Sequence, residues 1–283
     1  MKKFMRSRNF LYISLLALIL TIIPYKAHTV DISVGATTWY TWWDFNVDET
    51  SWNGSQFLDV DKAAFMYGPT LALKIMDDFS ITFVFLYGKF EMTEDIPANA
   101  LFGYWPPVDY HADLKYKRRD SDLAFNYKLN DYFKLFAGIK YLGFQLPYRT
   151  FVPGEPDADI KHFGYGPGLG VGVTYPIIDN IFLLGNISGI YLWGKEKLSG
   201  SNTSANEYSE KYNEYGINSS LSIAYYIAPA STAISLGGRY QYVRTLYEGT
   251  ERVENWEFEV TKLSNISSHI YGITLSATYT FSI

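Results

Sequence analysis

The chain has 283 residues, a formal charge of −5, 18% aromatic residues including 25 tyrosines, and no cysteine. That length accommodates one large all-β domain or two small ones. The missing thiols exclude disulfides, thiolate metal sites and a lipidated cysteine.

The first thirty residues differ from the rest. Lys2, Lys3, Arg6 and Arg8 precede the apolar run Phe10–Ile23, and Ala27, His28 and Thr29 follow it. A basic start, an apolar middle and a small polar end make the layout of a secretory signal peptide. The competing reading is a membrane anchor, which needs about 20 apolar residues where this run supplies roughly 14. The chain is therefore divided into a signal peptide, 1–29, and one domain, 30–283. Removal of the segment takes Lys2, Lys3, Arg6, Arg8 and Lys26 with no acidic residue, moving the formal charge from −5 to −10. An exported chain of that charge is unsuited to nucleic acid.

Beyond residue 30 no apolar run is long enough for a spanning helix, and period-two alternation dominates. Ten segments carry it: 31–43, 64–75, 78–91, 114–128, 132–145, 162–175, 181–194, 212–227, 232–246 and 268–283. The links alternate between short turns and long loops rich in Asp, Glu, Asn, Pro and Gly. That asymmetry is the mark of a membrane barrel with one short-turn rim, and the even count places both ends of the domain on that rim. Eight strands remain an alternative if the weak first and seventh segments are misread.

The first segment runs into a loop holding Asp44, Asp48, Glu49, Asp59 and Asp61. Trp39, Trp42, Trp43 and Trp52 are read here as an interfacial girdle. The second and third segments form a hairpin, with Pro69 inside a strand. Asp109, His111 and Asp113 precede the fourth segment; they have the residue types of acid–base catalysis, and a solvated loop explains them as well. In the fourth and fifth segments Leu123, Phe125, Leu135 and Ile139 are greasy. Arg118, Asp120, Asp122, Asn126, Lys134, Phe136 and Lys140 therefore take the other face.

The sixth segment is unusual. Gly164, Gly166, Gly168, Gly170 and Gly172 occupy every second position between Phe163, Tyr165, Leu169, Val171 and Val173. Glycine is depleted in strands because it packs nothing and costs backbone entropy. One whole face is thus without side chains. Phe65-Met66-Tyr67-Gly68-Pro69 resembles Phe163-Gly164-Tyr165-Gly166-Pro167, and both hairpins end on Gly-Lys, at Gly88-Lys89 and Gly194-Lys195. This weak repeat fits hairpin duplication. Both prolines remove a ladder bond and are read as bulges where the strand leaves the membrane. In the eighth and ninth segments Glu214, Asn218, Ser220, Ser222, Arg239 and Gln241 share the polar face. The fifth loop holds Glu248, Glu251, Glu254, Glu257 and Glu259, and the third Glu155, Asp157 and Asp159. In the last segment Leu275, Ala277, Tyr279, Phe281 and Ile283 alternate with Ser and Thr. Ser267 and His269 share a face near its start, two members of a hydrolase set that lacks a located carboxylate.

These features resemble the small bacterial outer-membrane β-barrel proteins of the porin-like kind. The resemblance covers 30–283 and is architectural. It implies a closed antiparallel transmembrane barrel in the outer membrane, with outer-membrane lipids and the barrel-assembly machinery as partners, a monomeric state, and no cofactor, metal or catalytic centre. Leu275, Ala277, Tyr279, Phe281 and Ile283 match the superfamily's C-terminal assembly signal, with Ile283 where Phe or Trp is usual. Ten-stranded omptin-like proteases share the strand number, without a matching motif here.

Ten strands about 4.8 Å apart and tilted about 40° enclose a backbone diameter of about 20 Å, leaving a bore of about 8 Å or less. The glycine wall either widens a pore or admits bulk from elsewhere. Arg118, Asp120, Asp122, Lys134, Lys140, Glu214 and Arg239 are the constriction candidates. The leading reading is a narrow porin-like channel for small solutes, selective through these charges; the alternative is a plug that holds the barrel shut. A third places function in the acidic, aromatic loops, as in a surface-adhesion barrel.

Overall fold

A computed structural model describes residues 30–47, 62–96, 110–148, 158–200, 208–248 and 266–283. The signal segment and most of the long loops fall outside these, and with them Asp109, Trp52 and the acidic runs apart from Asp44, Asp159 and Glu248. The side chains of His111 and Asp113, at the start of a strand, also lie outside the described residues.

Ten strands form one closed antiparallel barrel. They are β1 (Asp31–Val47), β2 (Lys62–Met76), β3 (Phe79–Ile96), β4 (Tyr110–Lys128), β5 (Phe133–Tyr148), β6 (Ala158–Ile178), β7 (Ile181–Gly200), β8 (Tyr208–Ile227), β9 (Thr232–Tyr247) and β10 (Ile266–Ser282). Each strand pairs with its sequence neighbours, and β1 closes on β10 in continuous register from Asp31↔Ser282 to Val47↔Ile266. Closure leaves no open sheet edge along the wall, the condition for strands in hydrocarbon. The eight-strand alternative is excluded.

Local chemistry sets the tight turns. Asn130 Oδ1 accepts from the backbone N–H groups of Tyr132 and Phe133, both at 2.9 Å. Asn180 adopts φ 64° between β6 and β7, a left-handed conformation that Asn tolerates. Ser231 does the same after the single turn Ala228–Ala230. At the opposite rim the strands run beyond the greasy alternation: β6 begins at Ala158 and β7 continues to Gly200. The residues there are largely polar and carry no apolar alternation, so periodicity of hydrophobicity gave no sign of them.

The outward face is apolar. In β10, Ile273 and Leu275 are 52% and 49% exposed, while inward Ile270 is fully buried. Outward aromatics form two belts, the outer through Tyr67, Tyr165, Trp193, Tyr215 and Tyr271 and the inner through Tyr127, Tyr175, Tyr225 and Tyr279. Between them lie Leu71, Ile139, Leu169, Val171, Ile187, Leu221 and Leu236. The ten residues from Tyr165 to Tyr175 climb about 25 Å at that tilt, matching the apolar band of an outer-membrane barrel.

The prolines correct an expectation. Neither produces a bulge: the β2–β3 ladder keeps its register across Pro69, from Tyr67↔Tyr87 to Thr70↔Val84, and the β6–β7 ladder keeps its register across Pro167, from Tyr165↔Trp193 to Gly168↔Ile190. The register shifts fall at Lys74/Met76 and Pro176/Ile178, beside the tight turns. Without an N–H, proline drops a ladder bond but adds no residue. In both strands the preceding glycine lies close against the backbone of the facing strand. A Cβ on Gly68 would overlap the carbonyl oxygen of Phe85, and a Cβ on Gly166 that of Tyr191. Both Gly-Pro steps therefore share one local geometry, and the sequence repeat has a structural counterpart.

We expect Gly166→Ala to lower barrel stability by about 1–3 kcal/mol, the usual cost of overpacking. Gly168→Ala, whose Cβ would meet Ile190 Cγ2 at 3.5 Å, is expected to be neutral within about 0.5 kcal/mol. Urea unfolding of the refolded barrel in vesicles, followed by tryptophan fluorescence, compares the two.

Candidate functional site

Inward-facing side chains divide the lumen into three levels. The outermost is an aromatic layer. Trp43 lies 5.0 Å from Phe90 and 5.8 Å from Phe144 between ring centroids. Phe144 stacks on His162 at 4.4 Å, and His162 on Tyr212 at 4.1 Å. Tyr212 then meets Tyr247 at 5.8 Å. The rings come from β3, β1, β5, β6, β8 and β9 in turn, so the layer reaches from wall to wall.

Within it His162 is held on both ring nitrogens. Nε2 lies 2.8 Å from Glu214 Oε1 and Nδ1 lies 3.2 Å from Glu196 Oε2. Thr245 donates to Glu214 at 2.9 Å and Tyr247 to Glu196 at 2.9 Å. A buried carboxylate is costly unless it is paired and hydrogen-bonded, and here both conditions are met from neighbouring strands. His162 is buried between two rings and two carboxylates.

The middle level is an ionic crossbar. Lys140 on β5 donates to Asp120 at 2.6 Å and to Asp122 at 2.9 Å on β4. Arg239 on β9 reaches Asp122 at 3.2 Å, approaches Asp120 at 3.8 Å, and donates through Nε to Asn218 at 3.1 Å. Its guanidinium lies 4.7 Å over the Trp39 ring. β4 and β9 are five positions apart around a ten-strand circle, so the Asp122–Arg239 contact crosses the lumen along a diameter. Two cations face two carboxylates, and Lys140 and Asp120 are only 2% and 1% exposed. Arg118 lies above, 4.8 Å over the Trp43 ring.

The innermost level has small walls. Ser33, Gly35 and Thr37 of β1, Thr70 and Ala72 of β2, Ser80 and Thr82 of β3, and the Ser and Thr row of β10 face inward and are half-exposed. On the β4–β8 side of this end, Asn126, Phe136, Asn186, Ser188, Asn218 and Ser220, with Thr82 of β3, line a cavity of about 230 Å³ that Asp122, Lys140 and Arg239 close from above. Lys134 lines it and has no ion pair among the described residues.

Each anticipated residue can now be placed. Asp120, Asp122, Lys140 and Arg239 form one network. Glu214 lies apart with His162, and Arg118 packs on Trp43. Lys134 stands alone in the cavity. The glycine row faces inward, and the space it yields is largely occupied. A Cβ on Gly170 would meet Phe136, one on Gly172 would meet Lys134 and Asn186, and one on Gly164 would meet Tyr212 and Glu214. Only Gly168 leaves the cavity room. Leu275, Ala277, Tyr279, Phe281 and Ile283 form the outward row of β10, and Ile283 exchanges backbone bonds with Val30 at 3.1 Å.

Two readings need correction. Trp39 and Trp43 turn into the lumen and not to a girdle, and are 0% and 1% exposed; of the three described, Trp42 turns outward, stacking with Tyr271 at 6.0 Å. The inward aromatics Phe90, Tyr116, Phe144, Tyr212 and Tyr247 were missed. The two-residue parity locates Tyr116, Phe144, Tyr212 and Tyr247, because each shares its strand's face with an identified polar residue; β3 carried no such residue to mark Phe90. On the outer surface, His269 Nδ1 is 2.9 Å from Tyr240 Oη, and the β1–β10 register sets Asp44 opposite His269.

No family model and no curated protein matches the sequence. Among solved structures, the outer membrane protease OmpT from Escherichia coli aligns with a TM-score of 0.52 at 12% identity, over 89% of this chain and 97% of that one. A major outer membrane protein from Thermus thermophilus gives 0.40 at 13% identity over 90% and 100%. Ail, the attachment invasion locus protein of Yersinia pestis, gives 0.31 at 13% identity over 88% and 98%. The fold is that of a small outer-membrane β-barrel.

Replacing Lys140 by Met should leave Asp120 buried without its nearest cation and cost about 3–5 kcal/mol, the usual penalty for breaking a buried pair from one side. Adding Asp120→Asn in the same chain should recover part of the loss. Urea midpoints of the refolded barrels give both numbers.

Proposed function

We propose that this chain is a plugged outer-membrane barrel that does not act as a general diffusion pore, and that its outer rim and surface carry its activity. The observation behind this reading is the diametric Asp122–Arg239 contact, 3.2 Å long. A bore that a salt bridge can cross has no width for a hydrated ion at that level. The aromatic layer above it blocks the same path a second time. The function is then structural or adhesive and is exerted through the acidic, aromatic loops. Enzyme chemistry has little support from the described residues: His162 is enclosed, and the Nδ1 of His269 is taken up by Tyr240.

A second reading has its own support. The cavity of about 230 Å³ beneath the crossbar, lined by Lys134 and by amide and hydroxyl groups, is the inner half of a narrow polar path. In that case the crossbar is a gate, and Lys134, lacking a counter-ion among the described residues, favours small anions.

Planar-bilayer recording of the refolded chain distinguishes the two. The plugged barrel is expected to give no single-channel steps above the bare bilayer. Regular steps from the wild-type chain overturn it, and a shift of anion–cation selectivity in Lys140→Ala or Arg239→Ala would then place those residues on the conducting path.

A further inference from the structure

Strand parity and the belts also sort the charges on the outer surface of the wall. Above the outer aromatic belt, β3 presents Lys89, β4 Lys117 and Arg119, β6 Lys161, β7 Lys195 and Lys197, and β8 Lys211, all facing outward. Lys89 lies two residues beyond Tyr87, Lys195 two beyond Trp193, Lys161 four beyond Tyr165 and Lys211 four beyond Tyr215. At about 2.5 Å of height per tilted residue they sit about 5–10 Å above the belt, the depth of the headgroup layer.

Their pairing is unusual. The ladders set Lys89 opposite Lys117, Lys161 opposite Lys197, and Lys195 opposite Lys211. Like charges directly opposite each other destabilise a sheet, and three such pairs fall on one arc of an acidic protein. Two of the outward lysines have acidic partners: Lys161 pairs with Asp159 at 2.8 Å, and Lys115, the next outward residue above Lys117, with Glu91 at 3.4 Å. Lys89, Lys117, Arg119, Lys195, Lys197 and Lys211 have no ion pair among the described residues. Glu248, which follows β9 and donates its backbone N–H to the Lys211 carbonyl at 3.0 Å, accepts through its carboxylate from Asn213 at 2.6 Å. The opposite rim differs. Lys74 and Lys128 are each neutralised within their own turns, by Asp77 at 3.0 Å and Asp131 at 2.8 Å. β1 and β10 carry Asp44 and His269 near the outer rim, so the cations form an arc over β3–β8 and not a full ring.

We propose that this arc binds the phosphate groups of phosphorylated lipids in the outer leaflet, with Lys161, Lys195, Lys197 and Lys211 forming one phosphate site and Lys89, Lys117 and Arg119 a second. The outward aim selects a ligand lying in the membrane plane. Depth selects its headgroup. The paired lysines supply several ammonium donors around one dianion, which turns cross-strand repulsion into a shared charge-assisted contact. Tyr165, Trp193 and Tyr215 below offer apolar faces to the attached acyl chains.

Native mass spectrometry of the refolded full chain tests this, with diphosphoryl lipid A as probe and its dephosphorylated form as reference. Wild type should retain the phosphorylated lipid at least about tenfold better, and the preference should fall with salt. Lys195→Gln with Lys211→Gln should lose most of it; Lys74→Gln with Lys128→Gln, at the other rim, should not. Heat-modifiable gel migration reports that each variant is folded, and Lys161→Gln alone, outside the like-charged contact at Lys195, serves if the double variant does not fold. Equal retention of the two lipids, or unchanged retention in both Lys195/Lys211 and Lys161 variants, overturns the proposal. So does complete displacement by millimolar inorganic phosphate, which would make the arc a site for free phosphate.

Discussion

Ten strands closed on themselves leave little room, and most of the interior follows from that. A wall of this circumference holds side chains that meet across the lumen, so any charge turned inward meets another side chain and not bulk water. Asp122 and Arg239 come from opposite sides of the barrel and still touch. An unpaired ion in such a space is expensive, and the middle level balances two carboxylates against two cations. The pairing fixes more than charge. Because its members come from β4, β5 and β9, it ties distant parts of the wall together through the centre, which the ladder by itself does not do.

The glycine row obeys the same constraint. Removing side chains from one wall of a wide barrel would open a channel. In a narrow one, neighbours fill the space. Phe136 and Lys134 lean over Gly170 and Gly172 from β5, and Tyr212 and Glu214 over Gly164 from β8. Gly166 and Gly170 answer a different demand as well, the close approach of the Tyr191 and Ile187 carbonyl oxygens of β7. The row that looked uniform in sequence thus has at least two causes, packing and backbone approach. Gly168, with free space at its Cβ, marks where the polar cavity begins.

Much of this was legible in the residues. Period two located all ten strands, and parity gave the faces of Arg118, Asp120, Asp122, Lys134, Lys140, Glu214 and Arg239. What failed was the reading of aromatic residues. Tryptophan near the rim of a barrel suggests an interfacial anchor, and that association outweighed the parity that places Trp39 and Trp43 on one face and Trp42 on the other. Composition says that a ring is near the interface; only the alternation says which side of the wall it is on. Pairing between distant strands was hidden for a different reason. That Lys140 would choose Asp120 while Glu214 would choose His162 depends on tilt and stagger, which no local pattern records.

The two ends of the lumen differ in a way that bears on orientation and use. The outer half is filled with rings and buried ion pairs, while the inner half is small, polar and half-exposed. On the proposed reading, a plug at the outer end keeps external solutes from the interior and leaves the inner end polar and half-exposed. The outer surface repeats the asymmetry: cations are left unneutralised above the outer belt and are neutralised inside the inner turns. Both facts follow if the outer end faces the harsher and more anionic side. A barrel whose task was to pass solutes would gain nothing from a doubled barrier at its mouth. One that must stay shut and anchored among charged headgroups needs both the barrier and the arc.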